Sequence, residues 1–422
     1  MAGILLIFFR SAPDFMGADF FQNLIDKEVT ISGKVIKDPD DSDGKLNLTL
    51  TSLRLSSSSQ DNIELNGSLF TQVSGVDIQR SDIVTISGTL SEGFGSYSAA
   101  IFRPELARVD RPEPGDLFLK FRDFFSSGVK NYLPSKQSGL ALGYLLGQKT
   151  GVDDSFKNAL RTVGLTHIIV ASGAHLGVLI GVARRLFGKI SRFFSLLSSI
   201  IFTLLFVGVT GLSASMLRAS LVVGLSLLAW YYGRKVRPER LILLVAAIAL
   251  IVNPAYLTDL AWLLSFASFS GILIVAPILT HFFYGNHKKP GFLSSTLISS
   301  ISATLLCAPI LLYFFGSISL ISIFANILIL PTISIAMGLT FLTGAFAIFI
   351  PFLATIVSRV TLIVLNYQIS VVEFFSDKKV FLVELPAGNP LVFLLLLPTI
   401  IVVILAFIIQ KKRSSSYLSK KT

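Results

Sequence analysis

Polar and apolar positions follow two different rhythms along this chain. Over residues 20–112 they alternate in short runs: VTISGKVIK, KLNLTLTSLRL, IELNGSLF, DIVTISGTL and YSAAIFRPELARV, parted by turn-rich DPDDSDG, SSSSQDN and EGFGS. A period of two predicts strands with one buried face. From Gly164 onward the runs are apolar throughout, near 165–183, 193–211, 215–233, 240–253, 259–283, 292–315, 318–350 and 391–409. Such runs predict helices in a bilayer with about 30 Å of hydrocarbon. The run at 318–350 is too long for one simple span and holds Pro331, which predicts a broken helix or a tight pair. Residues 352–375 carry Arg359, Asn366, Gln368 and Glu373 and read as interfacial or cavity-lining.

Five short strands at this spacing fit a small Greek-key barrel of the OB type. The expected fold class is therefore a polytopic α-helical membrane protein with an N-terminal small all-β domain. Residues 1–19 hold GILLIFF before Arg10, too short to span and without the basic start or cleavage site of a signal peptide. They read as an interfacial anchor or the remnant of a helix. Residues 113–163 follow the barrel as a Pro-rich linker and two helical stretches. In the first, Leu117, Phe121, Phe124, Phe125, Val129 and Leu133 recur at helical spacing while Lys120, Arg122 and Lys130 lie off the stripe. This predicts an amphipathic interfacial helix, with packing on the bundle as the plainer reading. The stretch at 136–162 is expected to lie outside the hydrocarbon or to re-enter it. Residues 164–409 form the membrane domain and 410–422 a basic tail.

Composition sharpens the class: the chain is 52% hydrophobic and 14% charged, with a mean hydropathy of +0.73. The net charge of +11 hides a split. Residues 1–135 carry 13 Lys+Arg against 18 Asp+Glu, or −5, and the remainder 23 against 7, or +16. Cytoplasmic loops of a membrane protein account for much of that excess, and an anionic cargo would use the same charge. Basic clusters at Arg184, Arg185, Lys189 and Arg192, at Arg234, Lys235, Arg237 and Arg240, at Lys288 and Lys289, and in the tail fall on one side if the barrel is extracytoplasmic and the tail cytoplasmic. Lys378 and Lys379 break this pattern. The lone Cys307 excludes an internal disulfide and a thiolate cluster.

Polar groups inside the apolar runs mark candidate chemistry. The stretch GLTHIIVASGAHLGVLIGVA at 164–183 holds two of the four histidines, His167 and His175, with Ser172 and Gly173 between them. Polar residues at membrane depth face a bundle interior or a water-filled cavity, and the glycines permit a local break. The residues alone leave open metal binding, a Ser-His hydrolase on Ser172, structural hydrogen bonding, and pore lining. VASGA departs from the G-x-S-x-G elbow, and no carboxylate or thiolate on the stretch completes a metal set. Arg218 and Asp259 each lie near the outer end of a span. An unpaired charge in hydrocarbon costs about 2.5–3.5 kcal/mol, so Arg218 is expected to pair with Asp259 or to face an aqueous pore, with snorkelling as the bland alternative. In the barrel, Phe70, Phe94, Tyr97 and Phe102 are possible strand contacts, since OB barrels stack bases on aromatics. The few aromatics and the domain's acidity favour a structural or gating use over direct strand binding.

Several of these segments occur together in a known family. GLTHIIVASGAHLGVL resembles the signature of ComEC-type competence proteins, the inner-membrane channels of bacterial DNA uptake. LALGYLLGQKTGVDDSFKNALRTVG before it, TGLSASMLRAS, NPAYLTDLAWLLSFASFSGIL and APILLYFFGSISLISIFANILILPTISIAMG after it are similar to the family's ordered segments, and that family also has an OB-type domain ahead of its bundle. The resemblance implies passage of single-stranded DNA into the cytoplasm across the bacterial cytoplasmic membrane during natural transformation. It further implies that His167, Ser172, Gly173, His175, Arg218, Asn253, Ser265, Asn326 and Pro331 line or shape the channel. The implied partners are single-stranded DNA, membrane lipid, a cytoplasmic helicase or motor, an extracytoplasmic DNA receptor and a separate nuclease. A channel needs no cofactor and no metal. The chain has no G-x-x-x-x-G-K-[ST] loop for nucleotide. Many relatives also carry a C-terminal metallo-β-lactamase-like domain; this sequence shows no H-x-H-x-D-type cluster, so no nuclease activity of its own is expected. Two other classes stay open: a solute or lipid transporter with discontinuous helices, and an intramembrane hydrolase centred on Ser172.

Overall fold

The computed structural model describes residues 21–42, 45–56, 63–65, 67–76, 78–94, 97–112, 116–148, 151–169, 172–211, 214–252, 254–285, 290–377, 382–389, 401 and 404. The expected N-terminal segment, Asn253, all but two residues of the run at 391–409, and the basic tail lie outside them.

The N-terminal domain is all β: β1 (Glu28–Val35), β2 (Asp40–Ser42), β3 (Lys45–Ser56), β4 (Ile63–Leu65), β5 (Leu69–Val73), β6 (Ile83–Thr89), β7 (Ser91–Glu92), β8 (Ala99–Ile101) and β9 (Glu105–Asp110). The pairing order is β7-β8-β5-β3-β1-β6-β9. β7 resumes β6 after the buried Leu90, so the sheet curls until β6 pairs β1 and β7 pairs β8. The β5–β8 pair is parallel and its neighbours are antiparallel, which closes a five-stranded OB-type barrel. The alternation explains the core: along β1 every second residue is buried. Ile31, Leu48, Leu50, Leu69, Ile86 and Ile101 fill the interior.

The helical part begins with α1 (Leu117–Lys130), α2 (Ser135–Leu146), α3 (Asp154–Val163), α4 (Thr166–Ile169), α5 (Gly173–Phe187), α6 (Arg192–Thr210) and α7 (Ala214–Tyr231). It continues with α8 (Pro238–Val252), α9 (Leu260–Ser270), a π-helical turn (Gly271–Val275), α10 (Ala276–Tyr284), α11 (Phe292–Phe315), α12 (Ile321–Phe349) and α13 (Pro351–Ser376). Among the described residues, five helices are long and apolar enough to cross a membrane: 192–210, the run 260–284, 292–315, 321–349 and 351–376. A short antiparallel pair, β10 (Ser317–Ser319) with β11 (Leu382–Glu384), joins the start of α12 to the chain beyond α13.

Four expectations are corrected. The stretch 136–162 is two helices, because Gly147 adopts a left-handed φ of 68° and stops α2. The run at 318–350 is neither broken nor a pair: α12 passes through Pro331 unbroken. Pro331 removes the N–H that would reach the Ile327 carbonyl, and the turn beside it is tied by side chains, with Thr332 donating to Ile329 at 2.8 Å and Tyr367 to Leu328 at 3.4 Å. Residues 351–376 form a full-length helix against α12, because the polar Gln368 turns inward and donates to Thr332 at 2.8 Å. In α1, Arg122 is buried, while Leu117, Phe118, Phe121 and Phe124 are exposed. Arg122 turns inward because Asp38 of the barrel meets it in an ion pair.

A second arginine fixes the barrel to the bundle. Buried Arg80 donates to the carbonyls of Val209 at 3.2 Å and Gly208 at 3.0 Å, at the C-terminal end of α6. A cation at the last carbonyls complements the helix dipole.

Candidate functional site

The apolar run at 165–183 is folded as two pieces, α4 and α5, with Ser172 extended (φ −135°, ψ 169°) at the restart. His175 holds that start in place. Its Nδ1 accepts the backbone N–H of Ser172 at 3.1 Å and lies 3.0 Å from Ser172 Oγ. A nitrogen that accepts an N–H carries no proton, so the hydrogen bond assigns the imidazole proton to Nε2. His175 is buried, and its ring lies 6.0 Å from that of buried Tyr144, inclined by 27°.

Arg218 of α7 approaches the same place from another side. It is only 8% exposed. Its Nε donates to Ser265 Oγ of α9 at 2.7 Å, and Ser265 Oγ lies 3.1 Å from Ser215 Oγ. The guanidinium carbon stands 4.8 Å from the centre of the Phe269 ring and 6.0 Å from that of Phe266. A Cβ built on Gly173 would stand 3.6 Å from Arg218 Nη2 and 3.3 Å from Ala219 Cβ, so the helix start and the guanidinium approach to within contact of one methyl group.

The expected Arg218–Asp259 pair does not form. Asp259 is the N-cap of α9 and accepts the Trp262 N–H at 2.9 Å. Arg218 instead reaches Ser265, six residues further into the helix and roughly 9 Å along its axis. Among the described residues no carboxylate lies within ion-pair distance of Arg218, and its Nη groups donate no hydrogen bond.

The structure therefore brings Ser172, Gly173, His175, Arg218 and Ser265 together. It does not bring all the sequence candidates there. His167 is exposed on α4 but lies near enough to His175 for their charges to interact. Asn326 and Pro331 belong to α12, which packs on α1, α2, α11 and α13. Asn326 is buried and its Oδ1 has no partner among the described residues. Tyr144, Ser215 and Phe269 complete the site and are not singled out by sequence reasoning. Helical spacing carries a signal for two of them, since Ser215 precedes Arg218 by three and Phe269 follows Ser265 by four.

The four barrel aromatics form one cluster. Phe70 lies 5.1 Å from Phe94, 5.3 Å from Tyr97 and 6.1 Å from Phe102 between ring centres. Phe94 and Phe102 are 45% and 47% exposed, so the cluster is open at the surface. Beside it Gln72 donates to Asn47 at 2.9 Å, and Thr49 Oγ1 lies 3.4 Å from Tyr97 Oη. This is the face made by the second and third barrel strands, where OB folds hold oligonucleotides or oligosaccharides.

Comparison with known proteins follows the same lines. A family model described as Competence protein matches residues 144–412. ComE operon protein 3 of Bacillus subtilis (strain 168) is 29% identical over 217 residues, covering 50% of this chain and 27% of that protein. No solved structure matches the chain.

Proposed function

From the premise that the chain belongs to the competence protein family, we propose that it is a multi-pass channel that carries single-stranded DNA into the cytoplasm. The observation that carries this reading is Arg218, a buried cation without a carboxylate, set against the start of a helix that restarts inside the bundle. A helix N-terminus is the positive end of its dipole, and here the capping box of Ser172 and His175 leaves the Gly173 and Ala174 N–H groups without an intrahelical partner. Half-helices of this kind face anionic groups in membrane transporters. A phosphate passing there loses water, and these groups offset the loss without reading any base.

The barrel aromatics would act earlier, stacking bases of the incoming strand. An extracytoplasmic barrel is supported by α6: Arg80 binds its C-terminal carbonyls, while Arg184, Arg185, Lys189 and Arg192 gather about 28 Å away around its other end. Directionality would come from a cytoplasmic motor, with an extracytoplasmic receptor delivering the strand. The chemistry of this chain is transport rather than catalysis.

The test is internalisation of labelled DNA by cells carrying Arg218→Gln or His175→Ala. The expected result is lost or much reduced uptake at normal protein level in the membrane. Normal uptake in both variants would remove the channel roles assigned to these residues.

A second reading has one observation in its favour. Ser172 Oγ lies 3.0 Å from His175 Nδ1, the hydrogen bond that a Ser-His dyad needs. Nδ1 already accepts a backbone N–H, however, which suits a helix cap better than a base. Covalent labelling of Ser172 by a fluorophosphonate would favour the hydrolase.

A further inference from the structure

We infer that the notch between Arg218 and the N-terminus of α5 is a binding site for one phosphodiester group of the strand. Two positive ends converge there. The first is the guanidinium, whose Nη2 stands 3.6 Å from the Cβ position of Gly173. The second is the start of a 15-residue helix, where Ser172 and His175 form a capping box that takes the Ser172 and His175 N–H groups and leaves those of Gly173 and Ala174 without an intrahelical partner. Like charges brought this close in a poorly solvated place repel each other unless an anion lies between them. Among the described residues no carboxylate takes that part. Ser265 and Phe269 hold the Nε edge and one face of the guanidinium, which leaves the Nη edge free. A planar Nη pair matches two oxygens of a tetrahedral phosphate.

The notch is also reachable. Ala174 is exposed and Ser172 and Gly173 are half-buried, so the helix start is open to the space in front of it. Gly173 keeps the opening clear, because a Cβ there would already touch Ala219 and Arg218 and a larger side chain would fill the space. The site is thus built for a charged group on a thin backbone, not for a base.

This inference rests on the channel reading but is tested separately from it. The full chain is purified in detergent micelles, and binding of a pentathymidylate is measured alongside its uncharged methylphosphonate analogue. The wild type should bind the charged oligomer and discriminate against the neutral one. Arg218→Gln should weaken the charged oligomer roughly tenfold or more, and Arg218→Lys should fall between, since a point charge lacks the fork. Gly173→Val leaves the charge in place and fills the notch, so it should lose binding as well; it decides the matter if Arg218→Gln does not fold. Adding phosphatidylglycerol to the micelles separates strand from lipid headgroup and should leave oligomer binding unchanged. Equal binding of the two oligomers by the wild type, binding by Gly173→Val at the wild-type level, or displacement by the lipid would each overturn the proposal. Oligomer binding that depends on Arg218 in a protein that takes up no DNA would leave the site standing and remove the channel.

Discussion

Arg80 and Asp116 meet at 2.8 Å where the barrel joins the bundle, and each is bonded to the end of a different helix. Arg80 takes the last carbonyls of α6, and Asp116 Oδ1 accepts the Phe118 and Leu119 N–H groups at the start of α1 at 2.9 and 3.2 Å. One ion pair thus ties a strand loop, a helix start and a helix end together. Arg80→Ala would leave a partly buried carboxylate and two carbonyls without their donor. The expected loss is about 3 kcal/mol, read as a lower melting temperature and faster proteolysis in the linker between barrel and α1. Wild-type melting and proteolysis in this variant would show that the join is held elsewhere.

The same pair has a pH signature. Burial raises the Asp116 pKa, but the Arg80 charge and the N–H groups of Leu119 and Phe118 together hold it below the ordinary 3.8. A carboxyl depressed in the folded state contributes stability above its unfolded pKa, and the contribution is lost as pH falls through the folded value. The difference in melting temperature between wild type and Asp116→Asn should therefore be constant from neutral pH down to about 4 and shrink below it. A difference that grows on acidification would contradict the assignment.

The aromatic cluster predicts a separable loss of strand binding. Base stacking on one aromatic is worth about 1–3 kcal/mol. Phe94→Ala and Phe102→Ala should each weaken binding of an oligonucleotide too long to occupy the Arg218 notch alone. Both residues are about half exposed, so melting should barely change. If affinity is untouched in the double variant, the cluster serves packing and not the strand.

Close packing of α1 on α12 offers a test in the bundle. A Cβ on Gly344 would stand 2.2 Å from Phe125 Cζ. Gly344→Ala should cost about 1–3 kcal/mol by overpacking, and Phe125→Leu in the same chain should recover part of it. Thermal melting of the two variants decides between this and a relaxed interface.

What the sequence makes legible is what period and composition control. Alternation across Glu28–Val35 and its fellow strands is enough for the barrel, because one face must be dry. Ser172, His175 and Arg218 stand out because each is polar inside an apolar run, whereas Ser265 enters only through the family resemblance. The Arg218–Asp259 pair misleads because charge complementarity ignores height along a helix: Asp259 is already occupied as a cap. Pro331 misleads because contacts from another helix, such as Tyr367 donating to Leu328, hold that turn in place and no local pattern reveals them. Arg122 follows the same logic, since its partner Asp38 lies 84 residues away. Arg80 gives no local sign at all, as its acceptors are backbone atoms of a distant helix.

The small pairing of Ser317–Ser319 with Leu382–Glu384 fastens the open end of the α12–α13 hairpin. Fraying at either terminus of that hairpin must first unzip a strand that the other terminus also needs. The two helices therefore form a single cooperative unit, whose amide protons exchange together and whose opening is all-or-none.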